Sequence, residues 1–376
     1  MFTSLFSLLT NFESIKDPRQ DAKVLHQLDE MIYVTLCAAI ANCDTWTDVE
    51  IYANQNMDWF RETLQLKNGI PSHDTFGRLF ARLDTREFTQ CLTQWTESLQ
   101  LSLEGQGVHI DGKVLRRSFD KAAGKSALQV VTAWAGDLHL CLGQLAVAEG
   151  SNELTAVPEL LDMLELSGAV VTLDALHTQK ATAKKIREKA ANYVLTVKGN
   201  QKKLYRAINK KFEELSEEDF QNSRARSQVT HETNGGREEY RRYTVFPAPA
   251  AIRQLGWTDL QAIGMVYRER TVNGRMSQEL TYFISSLPPK VRLLAKHVRD
   301  HWKVENQMHW SLDVTFAEDT SRIRKGNAPM IAGIFRRLAL SILKRDTTDT
   351  CSIRQKRLKS SWSPANLTQY LTGKTP

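Results

Sequence analysis

The stretch VHIDGKVLRRSF, residues 108–119, decides the fold class of this chain of 376 residues. Its first positions are mostly apolar and typical of a β-strand, and they lead directly into Asp111 and Gly112. Aspartate is a poor strand former, and burying its carboxylate is costly unless the carboxylate binds a metal ion or accepts hydrogen bonds. This strand is therefore the first place where the sequence indicates chemistry.

The segments that follow alternate between strand and helix patterns. Gly136-Asp137 is a good hairpin turn between the first two of them. The run that contains Asp174 is mostly apolar, as expected of a strand covered on both faces. In the order strand, strand, helix, strand, helix, strand, the segments are LQVVTAWAG (128–136), LHLCLGQLAVAEG (138–150), SNELTAVPELLDMLELSG (151–168), AVVTLDAL (169–176), TQKATAKKIREKAA (178–191) and NYVLTVKG (192–199).

Three antiparallel strands followed by alternating helices and strands predict an α/β fold, a mixed sheet with helices on its faces. This order resembles that of the ribonuclease H-like fold, in which the first and fourth strands are parallel neighbours. Asp111 lies on the first strand and Asp174 near the end of the fourth. We therefore expect the two carboxylates to lie close together at one edge of the sheet.

The chain divides into helical and β-rich parts. The turn sequences Asn234-Gly235 and Asn273-Gly274 each lie between two strand patterns and predict two hairpins. The predicted parts are a small helical N-terminal domain (1–103), the first part of the α/β core (104–204), a β-rich insertion (205–286), the rest of the core with an acidic helix and a closing helix (287–346), and a weakly ordered basic tail (347–376).

Composition sets broad limits on function. The hydrophobic fraction of 41% and the charged fraction of 25% are ordinary for a globular protein, and the net charge of +7 suits an anionic partner such as nucleic acid. The five scattered cysteines form neither a zinc motif nor a disulfide framework. No GxxxxGK[ST] motif is present, which argues against nucleotide hydrolysis. Without a long apolar run, the sequence predicts a soluble, cytoplasmic protein.

Three acidic residues are candidate ligands for divalent metal ions. Asp111 and Asp174 lie on strands expected to be adjacent, and Glu305 lies in the helical segment HWKVENQMHW (301–310). Mg²⁺ prefers oxygen ligands, and two such ions can stabilise the attacking and leaving oxygens in phosphodiester displacement. The alternative is that each aspartate only accepts backbone hydrogen bonds. Asp313 and Asp319 compete with Glu305, although Asp319 can instead pair with Arg322 or Arg324.

Stretches throughout the chain resemble the DDE transposases of the H-repeat-associated (ISAs-type) insertion-sequence family. Together these stretches are highly specific; they are LKNGIPSHDTFGRLF (66–80), FTQCLTQW (88–95), IDGKVLRRS (110–118), SNELTAVPELLDMLELSGAVVTLDALHTQK (151–180), YVLTVKGNQKKL (193–204), GREEYR (236–241) and RDHWKVENQMHWSLDVTFAEDTSRIRKGNAP (299–329). The resemblance implies a ribonuclease H-like core with the insertion before its last acidic helix. It also implies that Asp111, Asp174 and Glu305 are the catalytic, metal-binding triad.

The resemblance carries further expectations about activity and partners. It implies a DNA transposase that cleaves and joins element ends with two Mg²⁺ ions, for which Mn²⁺ can substitute. The expected partners are double-stranded DNA, both element ends and target, with no membrane. A homo-oligomer on DNA and a cytoplasmic, nucleoid-associated location are expected. Two alternatives stay open: a metal-dependent nuclease without strand transfer, and an inactive or domesticated DNA-binding protein.

The surroundings of Glu305 depart from the pattern of many insertion-sequence transposases. Those enzymes have a tyrosine, an arginine and a lysine at fixed spacings around the glutamate, whereas Val298, His301 and Leu312 occupy the corresponding positions here. The sequence suggests instead that Trp302 and Trp310 anchor the helix and hold Glu305 over the strand ends.

Five residues are candidates for contacts to DNA. Each also has a plainer interpretation, as a loop residue or as part of a solvated basic surface. The candidates are His177, which follows Asp174 closely, Lys198, which follows the fifth strand, and the basic cluster Arg322, Arg324 and Lys325.

Overall fold

The computed structural model describes residue 12 and residues 14–121, 124–148, 153–217 and 224–373. The centre of the fold is one nine-stranded mixed sheet. Its strands are β1 (Gly107–Val114), β2 (Gln129–Ala135), β3 (Leu140–Ala146), β4 (Val170–Leu173), β5 (Asn192–Val197), β6 (Arg226–Asn234), β7 (Arg237–Pro247), β8 (Ala262–Val272) and β9 (Arg275–Ser285).

The strands lie in the order β3-β2-β1-β4-β5-β9-β8-β7-β6. Strand β1 pairs antiparallel with β2 and parallel with β4, and β4 pairs parallel with β5. All other neighbours are antiparallel. The prediction of a mixed sheet that begins with three antiparallel strands is confirmed, as is the parallel pairing of the first and fourth strands.

Helices cover the sheet and form the N-terminal part of the chain. The helix Leu28–Ile40 packs against the helix Ala328–Arg345, and the N-terminal helices share one hydrophobic core with the sheet. The helices are α1 (Leu28–Ile40), α2 (Trp46–Gln55), α3 (Met57–Arg61), α4 (His73–Phe80), α5 (Thr85–Ser98), α6 (Glu153–Met163), α7 (Lys180–Glu188), α8 (Lys202–Glu217), α9 (Ala250–Arg253), α10 (Val291–Val304), α11 (Ala328–Arg345), α12 (Ile353–Trp362) and α13 (Pro364–Thr372).

The β-rich insertion extends the central sheet, because β9 pairs antiparallel with β5. Its two long hairpins are present as predicted. Asn273 and Gly274 have φ values of 50° and 76° and form the tight turn between β8 and β9. In the first hairpin the left-handed residues are Gly235 and Gly236, one position later than the sequence suggested, since Asn234 still pairs within β6.

The expectation of a weakly ordered C-terminal tail was wrong for residues 353–372, which form α12 and α13. Lys356 and Arg357 are almost fully buried. The Lys356 ammonium lies 2.8 Å from the Asp346 carboxylate, and the Arg357 guanidinium lies 2.9 Å from that of Asp44. The basic character of this segment therefore serves internal ion pairs, which a count of charges along the sequence does not indicate.

Apolar helices in this chain are core helices. Every residue of α11 from Ala328 to Leu343 is buried. Within the described part of the chain, no helix combines the length and the apolar character needed to cross a membrane.

Candidate active site

The first two acidic candidates lie side by side. Strands β1 and β4 pair in parallel with Ile110 opposite Leu173. Asp111 and Asp174 each follow this pair by one residue, so they occupy corresponding positions at the point where β4 ends and β1 continues. The structure thus brings together two residues that are 63 positions apart in the sequence.

The Asp111 carboxylate lies in an electrostatically unfavourable place for an anion. Burial raises its pKa to about 6, and the nearby charges of Asp174 and Glu153 act in the same direction. One carboxylate oxygen accepts a hydrogen bond from the Gly112 backbone N–H at 2.9 Å, and His309 Nδ1 lies 3.6 Å from the other. A cation bound between these acids would relieve the repulsion.

Glu305 begins a π-helical turn, Glu305–His309, directly after α10. Its side chain is exposed, and it lines a cavity of about 480 Å³ together with Asp174 and Lys198. The third acidic candidate therefore faces the same cavity as the second. In the residues the structure describes, no three or more His, Cys, Asp or Glu side chains form a ready-made metal-binding group.

A buried polar chain attaches α10 to the sheet behind Asp174. His301 Nδ1 lies 2.8 Å from Thr172 Oγ1, which in turn lies 2.7 Å from His109 Nδ1. Burial lowers the pKa of His301 to about 4 and that of His109 to about 3, so both imidazoles are neutral at neutral pH. His301 therefore fixes the helix that leads to Glu305 onto β4 and β1.

Of the two tryptophans expected to anchor this helix, only Trp302 packs against other residues of the core. Its ring lies 5.1 Å from the Arg268 guanidinium carbon. Trp310 is 57% exposed, so the expectation that it anchors the helix was wrong. The polar contacts of His301 replace the second aromatic anchor.

The acids that competed with Glu305 are engaged elsewhere, around Lys113 of β1. The Lys113 ammonium contacts Asp313, lies 2.9 Å from Glu318 and lies 3.9 Å from Asp319. Asp319 also lies 3.2 Å from Arg116, so the suggested pairing with Arg322 or Arg324 was wrong. These three carboxylates are neutralised by protein cations, whereas Glu305 forms no ion pair within the described residues.

Glu153 is a fourth carboxylate at the site, and the sequence did not predict it. It is the first residue of α6, and its Oε2 lies 2.9 Å from His177 Nε2. It also accepts a hydrogen bond from the side-chain amide of Gln129, and the His177 contact lowers its pKa. The His177 backbone N–H donates to Asp174 at 3.3 Å. Glu153 thus links β2 to the loop that carries Asp174.

Gly112 is required by the position of Glu153. A Cβ atom on residue 112 would lie 2.1 Å from one Glu153 carboxylate oxygen and 2.4 Å from the carboxyl carbon. No such contact is possible, so any larger residue at position 112 must displace the end of the Glu153 side chain. The glycine that follows Asp111 therefore provides space for the fourth carboxylate.

We expect Gly112→Ala to keep most of the protein's stability but to lower any activity that depends on Asp111 and Asp174 about 10- to 100-fold. The displaced group is the end of a flexible side chain, so the fold can adapt, but the carboxylate that positions the loop of Asp174 moves. Thermal unfolding and DNA cleavage rates measure the two effects. Gly199→Ala is the control, because nothing lies within 4 Å of its added Cβ. Equal activity of both variants would contradict the role given to Glu153.

The candidate DNA contacts separate into three places. Lys198 lines the cavity with Asp174 and Glu305. His177 is only 2% exposed and its ring is bonded to Glu153, so contact of its side chain with DNA would require that pair to open. The basic cluster Arg322, Arg324 and Lys325 lines a different cavity, of about 400 Å³, beside the N-terminal helices.

Comparison with known proteins identifies relatives along nearly the whole chain. A family model described as "Transposase DDE domain" matches residues 100–342, and one described as "DDE_Tnp_1-associated" matches residues 9–96. The chain is 34% identical over 373 residues to "Putative transposase YncI" of Escherichia coli O157:H7, covering 98% of this chain and 95% of the relative. It is 33% identical over 375 residues to "H repeat-associated putative transposase YhhI" of Escherichia coli K12, covering 98% of each.

One solved structure overlaps with the chain at a TM-score of 0.41 and 14% identity, a piggyBac transposase synaptic complex with hairpin DNA. The overlap covers 99% of this chain and 78% of that one.

Proposed function

The chain belongs to the DDE-domain transposase family, and on that premise we propose that it cleaves and joins DNA with metal ions held by Asp111, Asp174 and Glu305. The observation that supports this most directly is the parallel pairing of β1 and β4, which puts two of these carboxylates at corresponding positions. Glu305 faces the same cavity as Asp174. DDE transposase domains generally use divalent metal ions, and this donor set consists of hard oxygens only.

The chemistry of the donors fits Mg²⁺, with Mn²⁺ as a substitute, and we propose two ions. Burial raises the pKa of Asp111, and the like charge of Asp174 raises it further. Such a pair is unfavourable alone and becomes favourable with a divalent cation. When bound, the ions would activate the attacking water or 3′-hydroxyl and neutralise charge on the phosphodiester.

The chain's own residues would hold this arrangement in place. Glu153 and His177 position the loop that carries Asp174, and His301 holds the helix before Glu305 on the sheet. Lys198, in the same cavity, would neutralise a phosphate of the bound strand. Reaction in line would then depend on how these residues align the strand with the carboxylates.

We further propose that the core is ribonuclease H-like and that its parts follow the boundaries expected from the sequence. The strand order β3-β2-β1-β4-β5 and the placement of the insertion before α10 support this assignment. The N-terminal helices are the candidates for recognising element ends. Two ends must be held together for transposition, so we propose a homo-oligomer on DNA.

A cleavage and strand-transfer assay tests the proposal. The substrate is a DNA duplex that carries the chromosomal segment surrounding the gene, mixed with a supercoiled target plasmid and Mg²⁺. We expect cleavage at the segment ends and joined products, with neither in EDTA. Cleavage without joining would identify a nuclease, and binding without cleavage would identify an inactive DNA-binding protein; either result would overturn the proposal.

A further inference from the structure

The insertion places a cluster of arginines on the wall of the cavity that contains Asp174 and Glu305. Arg237 and Arg241 lie four residues apart on β7. Arg268 and Arg270 lie two residues apart on β8, and Arg268 pairs with Arg241. Alternation along strands puts these side chains on one face of the sheet. Arg299 of α10 completes the cluster, and all five line the cavity of about 480 Å³.

The acids around the cluster do not balance its charge. Glu239 contacts Arg237 and Arg241 at 2.5 Å each, and Glu232 lies 2.5 Å from Arg299. Glu279 contacts Arg268. Three glutamates thus face five arginines, and Lys198 adds a further cation to the same cavity. The cavity wall formed by the insertion keeps a net positive charge next to the acidic edge of the sheet.

Two of the arginines have a buried Nε–H group that makes no hydrogen bond. Arg241 is only 1% exposed; its Nη1 lies 3.3 Å from a Glu232 carboxylate oxygen, but its Nε has no hydrogen-bond partner. The Nε of Arg270 is likewise buried without a hydrogen-bond partner. Leaving a buried charged donor unsatisfied is unfavourable, so both groups are placed to donate to an acceptor that enters the cavity.

We propose that this arginine cluster binds the phosphates of the DNA strand that passes the carboxylates. Guanidinium groups bind phosphate oxygens through paired N–H donors, and their charge persists at every relevant pH. Because the cluster shares its cavity with Asp174 and Glu305, a strand bound there would have its backbone beside these acids. The identity of the anion as DNA rests on the proposed function, whereas the phosphate chemistry rests on the arginines themselves.

The binding test needs no catalysis. Anisotropy of a short fluorescent DNA duplex of arbitrary sequence, in EDTA and at several salt concentrations, gives the affinity and its dependence on salt. For Arg270→Gln and Arg241→Gln we expect weaker binding and a slope of log K against log[salt] smaller by about one per lost phosphate contact. Lys184→Gln is the control, since Lys184 is 69% exposed on α7 and pairs with Glu188.

The outcomes separate this proposal from the proposed function. An Arg270→Gln variant that folds and binds DNA with the wild-type slope would overturn the cluster's role, even if the protein cleaves DNA. Arg270→Gln carries the test if the buried Arg241→Gln variant does not fold. Inorganic phosphate that stabilises the protein while the DNA slope stays unchanged would indicate a small-anion site instead. The expected slope change would stand even if Asp111 proved dispensable for cleavage.

Discussion

Asp111→Asn is expected to lower the rate of the proposed metal-dependent DNA cleavage by ~10³-fold or more, because asparagine keeps the shape of the side chain but removes the charge that we propose binds the metal. Asp174→Asn is expected to have a similar effect. In metal-free buffer the variants should be as stable as the parent protein or more stable, since each removes one of the acids that repel one another around Asp111.

Three measurements check this expectation. Cleavage rates with Mg²⁺ give the loss of activity, thermal unfolding in EDTA gives the stability, and the rise in Tm on adding Mg²⁺ reports metal binding without catalysis. The control is Asp162→Asn, because Asp162 is 60% exposed, pairs with Lys185 and lies at the other end of α6 from Glu153. Cleavage by Asp111→Asn at a rate near that of the control would rule out the metal-binding role.

The third ligand is tested by comparing three substitutions. Glu305→Gln should lose activity as the aspartate variants do, and it should respond less to Mg²⁺ in thermal unfolding. Asp313→Asn and Asp319→Asn should keep most activity, since both residues contact Lys113. If Asp319→Asn were the inactive variant and Glu305→Gln the active one, the third ligand would have to be reassigned.

The sequence predicts much of this fold because the deciding signals are local. Apolar runs predict β4 and β5, and the pair Asn273-Gly274 predicts the turn between β8 and β9. The pairing of the first and fourth strands was expected because the order of elements resembles that of the ribonuclease H-like fold. The two aspartates were predicted as ligands because each lies on a strand pattern, which is unusual for that residue type, and because the family resemblance implies the same positions.

The parts that the sequence did not predict depend on contacts between distant residues. In the sequence, Glu153 looks like an ordinary acidic residue at the start of a helix. Only the fold brings its carboxylate next to Gly112 and His177. The arginines of the insertion read as polar positions on hairpin strands. Their convergence depends on the pairing of β9 with β5, which turns one face of the hairpins toward Asp174. Charges that pair across the chain leave no local pattern.

The largest effect on stability is expected at Glu318, which is fully buried with Arg337. Its carboxylate lies 2.7 Å from the Arg337 guanidinium and 2.9 Å from the Lys113 ammonium. Glu318→Gln should lower the free energy of unfolding by about 3–5 kcal/mol, because it leaves a buried guanidinium without its anion. Lys113 is two residues from Asp111 on β1, so the contact between Glu318 and Lys113 also holds the strand that carries Asp111 in place.

The contribution of Glu318 to stability depends on pH, and the direction of this dependence follows from the pKa of its carboxyl group. Burial alone would raise the pKa of Glu318, but Arg337, Lys113 and Arg336 outweigh it and lower the pKa to about 2, from a usual value of 4.5. The stabilisation is therefore fully present above pH 4.5 and is lost as the pH falls toward 2. Urea unfolding of the parent and of Glu318→Gln should differ by a constant amount near neutral pH, and the difference should shrink in acid.

Two comparisons identify the buried pair as the cause. Glu159→Gln, at the exposed pair with Arg86, should cost less than about 1 kcal/mol. The double variant Glu318→Leu with Arg337→Met should be less destabilised than Glu318→Gln alone, because it removes both buried charges and Lys113 keeps its contact with Asp313. A Glu318→Gln variant as stable as Glu159→Gln would show that the buried cations do not need this anion, and the anchoring of β1 would then depend on its apolar packing.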